Sequence, residues 1–419
     1  MKNILRFLFS PKSNYTFYKS KEFLIVNDRI YGAYIHTPFC KNLCPYCPYY
    51  KIPYDKRKIE KFIRAIREEI NLTIEKYPNI KIDSLYIGGG TPTILNEELI
   101  SIISYFKEKF SFNGDIAIEI HPVGIDENLL KKLKNVGVTH ISLGIQTFNN
   151  KLLNKIGRNN NFEQSLKAFE NIKKMGFKLI NIDMMFALPS QTFKELKEDI
   201  TLLKKIKPNQ VTFYPLFTFP YSKIGELKKI KDVKMPNFFV RKKMYYYIHR
   251  EMLKLGYKRV DVWSFKRIKE RKFSSVTRDY YIGFGPSAGT YTGKSFYFNT
   301  FSFEDYLSLC KKRKPTILKL NVDKKMEKIF WLYWRLYETK IPKKQYKKLF
   351  CSDLEEDFKS LLLFIRLFRF VKRENKDSIV LNIRGVFYIH LLQNLFALDY
   401  INKIWHNCQK YKNPNKIQL

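Results

Sequence analysis

Three cysteines, Cys40, Cys44 and Cys47, share one short loop at the spacing C-x3-C-x2-C. An apolar run from Tyr31 to His36 leads into them, and Pro38 and Pro45 keep the loop out of helix. Three thiolates so placed can hold three irons of a cubane 4Fe–4S cluster, whose usual complement is four cysteines. One iron is then left free to bind something else. A zinc ion would want a fourth ligand, for which His36 is the nearest candidate. A disulfide scaffold is disfavoured. Cys310, Cys351 and Cys408 are scattered, and the N-terminal MKNILRFLFS is too short an apolar stretch, without a cleavage site, for a secretory signal. This usage suits a reducing cytoplasm.

Other residues with chemical potential punctuate the chain at intervals. Gly88-Gly89-Gly90-Thr91-Pro92-Thr93 follows an apolar run and lets backbone approach a ligand closely. It is not a phosphate loop, because no Lys-Ser/Thr follows, and Thr93 stands where a dinucleotide fingerprint needs its third glycine. Glu119 sits in an apolar strand and, if buried, must find a partner or hold its proton. Gly283-x-Gly285-x-x-Ala288 has the letters of a Rossmann turn, with Asp305 about twenty residues on. Its context is wrong, since Gly289-Thr-Tyr-Thr-Gly reads as a second turn and not as a helix start.

The elements that must position these residues alternate regularly. Helical spacing of Ile59, Phe62, Ile63, Ile66 and Ile70 predicts a helix over 55–77, with Lys and Glu filling its other face. Strands are expected at 82–87, 115–120, 140–143, 177–184 and 210–214, and helices at 96–110, 126–135, 161–175 and 191–206. Such alternation argues for a parallel α/β sheet with right-handed crossovers. The unusual residues fall at the carboxyl ends of the strands, where barrel-type α/β folds put their active sites. A helix starts near 237. Beyond 320 the pattern becomes helical (324–338, 353–365, 386–397) with a hairpin at 368–371 and 378–381, and a polar tail from Lys410 that is expected to fray.

Lys and Arg number 77 against 39 acids, a net charge of +38. That attracts anions in general. Ile, Asn, Tyr and Phe are also abundant and, like Lys, come from A/T-rich codons, so composition accounts for much of the charge. No RNA-binding signature appears, and no nucleic-acid partner is expected. The apolar 361–371 stretch, broken by Arg366 and Arg369, is too short to span a bilayer, so no transmembrane segment is expected.

Tyr34, His36, Pro38, Phe39, Cys40, Cys44, Tyr46 and Cys47 reproduce the string Tyr-x-His-x-Pro-Phe-Cys-x3-Cys-x-aromatic-Cys. The chain thereby resembles the radical S-adenosylmethionine (SAM) superfamily, and specifically its oxygen-independent coproporphyrinogen III oxidase-like branch. The resemblance runs over roughly 31–400. It implies a partial six-strand (β/α) barrel with a small C-terminal helical, winged domain. The implied division is an extension over 1–30, a core over 31–300 and a C-terminal unit over 301–419. It also implies a 4Fe–4S cluster held by Cys40, Cys44 and Cys47 and one SAM, or two. Around SAM it places Tyr34, Tyr46, Gly89, Gly90, Thr91, Glu119, Gln146, Arg158 and Asp183, with Pro215 and Gly289 bordering a second SAM or the substrate. The activity implied is reductive cleavage of SAM to a 5′-deoxyadenosyl radical that takes hydrogen from a tetrapyrrole, or another flat anionic molecule, as in porphyrin biosynthesis. A flavodoxin or ferredoxin would supply the electron.

Departures from the pattern keep other members in view. Tyr49 stands where coproporphyrinogen dehydrogenases carry a fourth cysteine, and little chain precedes Tyr31. Heme chaperones of the branch carry His-Asn-x-x-Tyr-Trp where this chain reads Phe273 to Tyr280 without a histidine. His121 replaces the more frequent Asn or Asp before Pro122, and Ala187 replaces a glycine after the strand of Asp183. Radical SAM methyltransferases that bind two SAM molecules share the core motifs, and a heme-binding chaperone without turnover is the further alternative.

Overall fold

The computed structural model describes residues 15–26, 28–219, 221–223, 225, 234–267, 279–411 and 413–419. The MKNILRFLFS segment and most of the 273–280 stretch lie outside them. Six strands and their helices alternate as expected. They are β1 (Ile30–Thr37), α1 (Lys56–Lys76), β2 (Lys81–Gly89), α2 (Glu97–Lys109), β3 (Asp115–Ile120), α3 (Glu127–Asn135), β4 (Val138–Gln146), α4 (Phe162–Lys174), β5 (Leu179–Phe186), α5 (Phe193–Ile206) and β6 (Gln210–Pro215). Each strand pairs in parallel with the next. Helices cover one face, so the strands read as nearly unbroken apolar runs, as LINIDMMF in β5 illustrates. Local chemistry starts the helices. Asp55 caps α1, and reciprocal capping boxes open α4 (Asn161 with Gln164) and α5 (Thr192 with Glu195).

The sheet continues past both ends of this parallel block. Ser264–Lys266 adds antiparallel to β6, and Tyr281–Phe284 adds parallel to β1. An antiparallel meander of Gly289–Tyr291, Ser295–Asn299 and Thr316–Asn321 follows. Thr16–Lys19 then pairs with Thr316–Asn321 and with Lys416–Gln418, so 14 described strands form one sheet. The fold is the α/β partial barrel expected, with helices and a small three-stranded sheet towards the C-terminus.

Several local expectations need correction. The tail does not fray, because Lys416–Gln418 hydrogen-bonds to Thr16–Lys19 and buries Ile417. Gly289–Tyr291 is a strand, and its turn comes only at Thr292–Ser295. The 353–365 helix breaks at Phe358 into Leu354–Asp357 and Lys359–Leu367. The last helix runs Ile383–Tyr411, because Ile404 and Cys408 join a buried cluster with Phe17 of Thr16–Lys19 and Phe298 of the meander and so lengthen its buried face. Glu69, read as solvent-facing, is fully buried. Among the described residues no helix is long and apolar enough to cross a membrane.

Candidate active site

The triple glycine is explained by its surroundings. A Cβ on Gly88 would stand 2.8 Å from the Glu119 carboxylate, one on Gly89 2.6 Å from the His36 ring, and one on Gly90 2.4 Å from the Phe39 carbonyl oxygen. No side chain fits at those distances. The turn is stitched to the cysteine loop. Gly90 N–H donates to Thr37 O at 2.7 Å and Thr91 N–H to Phe39 O at 2.8 Å, while Thr91 Oγ1 lies 3.9 Å from Cys40 Sγ. Gly89 N–H donates to Glu119 at 3.1 Å. These three N–H groups are engaged inside the protein and are not free to cradle a phosphate.

His36 does not serve as a zinc ligand. Its Nδ1 accepts from the Tyr34 hydroxyl at 3.0 Å and its Nε2–H donates to the Tyr50 carbonyl at 2.9 Å. Only the neutral Nε2-protonated ring does both. Burial agrees, holding its pKa down at about 4. Among the described residues no three His, Cys, Asp or Glu side chains gather closely enough to hold a single ion. The zinc alternative therefore loses its nearest fourth ligand, and three thiols remain together on one loop. Cys40 is buried, while Cys44 and Cys47 are half-buried. Burial pushes the Cys40 thiol up to about 11, and the neighbouring Cys47 and Cys44 push the same way. Burial thus disfavours the thiolates of Cys40 and Cys47, and an iron cation would supply the missing stabilisation.

Alternation along the strands turns one row of side chains into the barrel lumen. Tyr34 and Tyr86 face each other there with ring centroids 6.1 Å apart. The Tyr86 hydroxyl donates to Glu119 at 2.9 Å. Burial raises the Glu119 pKa to about 7 and that of Asp183 to about 6. Asp183 accepts from Ser142 at 2.6 Å and from the Asn181 amide at 2.9 Å. Gln146 takes a left-handed φ of 74° at a bulge where β4 meets β5. Asp199 of α5 clamps the next two residues, accepting from Thr147 Oγ1 at 2.9 Å and Phe148 N–H at 2.7 Å.

The amide of Gln146 is oriented by Tyr214, whose hydroxyl donates to Oε1 at 2.6 Å. Its NH2 is thereby turned to the space above Gly144. A Cβ on Gly144 would lie 3.0 Å from Gln146 Nε2 and 3.8 Å from Arg158 Nη2. Two donors, one of them cationic, thus stand near this point, with the Ile120 carbonyl oxygen at 3.7 Å beside them. Arg158 is held by Gly144 O and, through Nε at 2.9 Å, by Asn160. Burial opposes its charge, but Tyr46 and Cys44 more than restore it, and its pKa stays raised. Pro215 ends β6 beside Phe186. Gly289 sits apart, with the Phe296 and Phe298 rings 3.3 Å from where its Cβ would be. Gly285 comes closer to the cysteine loop, since a Cβ there would stand 2.4 Å from the His36 carbonyl oxygen.

Tyr49 is 51% exposed just after Cys47. The Tyr221 hydroxyl donates to Pro48 O at 3.2 Å, and its ring packs on His406 of the last helix. Tyr86, Tyr214 and Asp199 were not singled out in the sequence. Strand alternation points to the first two, since Tyr86 lies two residues before Gly88 and Tyr214 two residues after Thr212, the partner of Asp183 in the neighbouring strand. Asp199 had no signal beyond its place on an amphipathic helix.

Residues 34–203 match the radical SAM superfamily. The heme chaperone HemW of Lactococcus lactis is 30% identical over 296 residues, covering 69% of this chain and 76% of the relative. That coverage decides the family. The chain belongs to the radical SAM superfamily, in its HemN/HemW-like branch. Membership brings with it the superfamily's cofactors, a 4Fe–4S cluster and SAM. HemW of Bacillus subtilis is 29% identical over 289 residues, 67% of this chain and 76% of the relative. The oxygen-independent coproporphyrinogen III oxidase of Salmonella typhimurium is 29% identical over 214 residues, 50% of this chain and 47% of that one. Among solved structures, coproporphyrinogen III oxidase (HemN) from Escherichia coli superposes with a TM-score of 0.78 at 21% identity, over 89% of this chain and 93% of that one.

Proposed function

We propose that this HemN/HemW-like protein is a radical SAM enzyme acting on a tetrapyrrole or a similarly flat, partly anionic molecule. The observation that carries the reading is convergence. The cysteine loop, the glycine turn, Glu119, the Gln146–Arg158 donor pair and Asp183 come from five different strands and meet at one lumen. In this reading Cys40, Cys44 and Cys47 hold the 4Fe–4S cluster and leave one iron without a protein ligand. When bound, the cluster supplies the electron that splits a sulfur–carbon bond of SAM and yields methionine and a 5′-deoxyadenosyl radical. The chain's own residues bind and orient. The carbonyls of Gly89 and Gly90, with Glu119 beside them, meet the amino group of SAM, while Gln146 and Arg158 meet its carboxylate. Tyr34, Tyr46, Thr91 and Asp183 complete the surround, and Tyr49 with Tyr221 walls the side towards the substrate. The enclosed lumen keeps water from a reactive radical. Pro215 and Gly289 stay as the border of a second ligand, and 1–30, 31–300 and 301–419 as the division of the chain.

A second reading, heme binding without turnover, is favoured by the HemW relatives, which the chain covers over 76% of their length. One experiment separates the two. The protein is reconstituted anaerobically to about four irons per chain, the cubane count, and given SAM and dithionite. Release of 5′-deoxyadenosine with consumption of a tetrapyrrole supports the enzyme. Tight heme binding with no SAM cleavage refutes it in favour of the carrier, and S-adenosylhomocysteine with a methylated product in favour of the methyltransferase. Stoichiometric zinc without iron would end the enzyme reading.

A further inference from the structure

We propose that the Lys51 ammonium tunes the reduction potential of the cluster, raising it so that the cubane takes up its electron more readily. The inference rests on the radical SAM reading, because it needs a cluster on Cys40, Cys44 and Cys47. In a chain with 77 Lys and Arg, one more lysine carries no signal in the sequence. Its contact sets Lys51 apart. The side chain is half-buried, and its Nζ donates to the Cys47 carbonyl at 2.7 Å. It folds back onto the cysteine loop.

The backbone on both sides of Lys51 is pinned. The Tyr50 carbonyl accepts from His36 Nε2–H at 2.9 Å, and Ile52 N–H donates to Pro38 O at 2.8 Å. Ile52–Pro53 then pairs in parallel with Phe39–Cys40, and Tyr54 N–H donates to Cys40 O at 2.9 Å. The segment after the third cysteine is thereby laid alongside the first, with Lys51 on the return between them. Its charge acts on two of the three thiols. Burial raises the Cys47 thiol pKa, and Lys51 is the largest influence opposing that rise; it acts on Cys40 in the same direction. Two other charged groups face the cysteines. Arg158 lies beside Cys44, and Glu119 acts on Cys47 against Lys51. Arg158 is held by Gly144 O and Asn160, and Glu119 accepts from Tyr86 and Gly89 N–H. Lys51 is thus the cation fixed by the cysteine loop itself.

An oxidised cubane with three thiolates carries net negative charge, and the electron it accepts adds to that charge. A cation fixed beside the thiolates stabilises the reduced state more than the oxidised one, because Coulomb attraction grows with the charge it meets. Net charge and hydrogen bonding around the sulfurs are the levers by which a protein sets an iron–sulfur potential. The Lys51 hydrogen bond goes to a carbonyl and not to a sulfur, so the lever here is charge. The step moves one electron from a chemical reductant to the cluster. No proton moves with it, and no covalent bond changes.

The test uses the full chain, reconstituted anaerobically, and reads the potential directly. Samples are poised with dithionite and redox mediators, without SAM, and the reduced cluster is followed by its electron paramagnetic resonance signal. Three variants separate charge from anchoring. Lys51→Arg keeps both the charge and a donor, Lys51→Gln keeps a donor without the charge, and Lys51→Met removes both. At the wild-type midpoint, Lys51→Gln and Lys51→Met should each lower the reduced-to-oxidised ratio about tenfold, a downward shift of about 59 mV for one electron. Lys51→Arg should stay near the wild type. So should Lys173→Gln, the same loss of charge on an exposed residue at the end of α4. Iron content is measured on every sample. A wild-type potential in Lys51→Gln overturns the proposal, as does an equal shift in Lys173→Gln. A shift in Lys51→Met alone, or loss of iron from both neutral variants, assigns Lys51 to anchoring the loop and overturns it too. A reconstituted wild type with no 4Fe–4S signal would instead overturn the radical SAM reading on which the proposal rests.

Discussion

The carboxylate of Glu69 is heavily engaged, and no sequence pattern marked it. It is fully buried on α1 and sits 2.8 Å from the ammonium of Lys314, itself buried. It also accepts from Gly285 N–H at 2.7 Å, Asn299 Nδ2 at 2.8 Å and the Tyr306 hydroxyl at 2.7 Å. Lys314 in turn donates to Gly283 O at 3.2 Å and lies 4.1 Å over the Phe284 ring. Burial lowers the Lys314 pKa, and Glu69 pulls it back up. The pair thus joins α1 to the glycine loop, which abuts the His36 carbonyl just ahead of the cysteines. Every neighbour of the carboxylate is a donor, so Glu69→Gln must point its NH2 at donors in either flip and leaves Lys314 without a counter-charge. Removing one partner of a buried pair costs roughly 3–5 kcal/mol, whereas removing both avoids the uncompensated charge. Glu69→Gln and Lys314→Met should therefore each lower unfolding stability by about 3 kcal/mol or more, and the double variant by no more than either one. Urea unfolding followed by circular dichroism, with the cycle closed by the double variant, measures this. Single variants within about 1 kcal/mol of wild type, or costs that add, would refute the argument that the pair acts as a buried unit.

Three further outcomes are expected. Burial raises the folded pKa of Asp199 from 3.8 to about 7, so its protonated form stabilises the fold fully below pH 4, and this is lost as pH rises to 7. Asp199→Asn keeps an acceptor for Phe148 N–H and should gain on the wild type between pH 4 and 8, by at most ~4 kcal/mol; a pH-independent difference in unfolding midpoint would contradict this. Tyr214→Phe frees the Gln146 amide to flip and should weaken SAM binding roughly 3- to 10-fold, the value of one hydrogen bond. The check is equilibrium dialysis, with unchanged iron content as the control. Gly90→Ala drives a methyl into the Phe39 carbonyl and should cost at least about 1–3 kcal/mol by overpacking, visible as lowered iron retention and a lower unfolding midpoint.

How much was legible beforehand varied with the physics. The alternation of strands and helices could be read because burial against a sheet imposes periodicity over many residues. The helix starts expected at 55, 161 and 191 lie within two residues of those observed, because helical periodicity is local. Errors came where partners are distant in the chain. The tail was expected to fray because nothing in Lys410–Leu419 reveals that Thr16–Lys19 offers it a free edge. Glu69 looked like any charged residue on a helical face, since its partner Lys314 lies 245 positions later by the residue numbers. The zinc alternative stayed open until both His36 nitrogens were seen to be engaged.

The loop of Cys40, Cys44 and Cys47, the run of glycines at 88–90 and the order of the elements were settled by the primary structure, because thiol spacing, turn residues and hydrophobic period are properties of neighbouring residues. Only the tertiary structure decided which groups face one another. It set Glu119 against the glycine turn, turned the Gln146 amide with Tyr214, placed Arg158 beside Cys44, and buried Glu69 with Lys314. Those contacts depend on strand register and on elements folding back from far along the chain, and no local signal in the sequence encodes them.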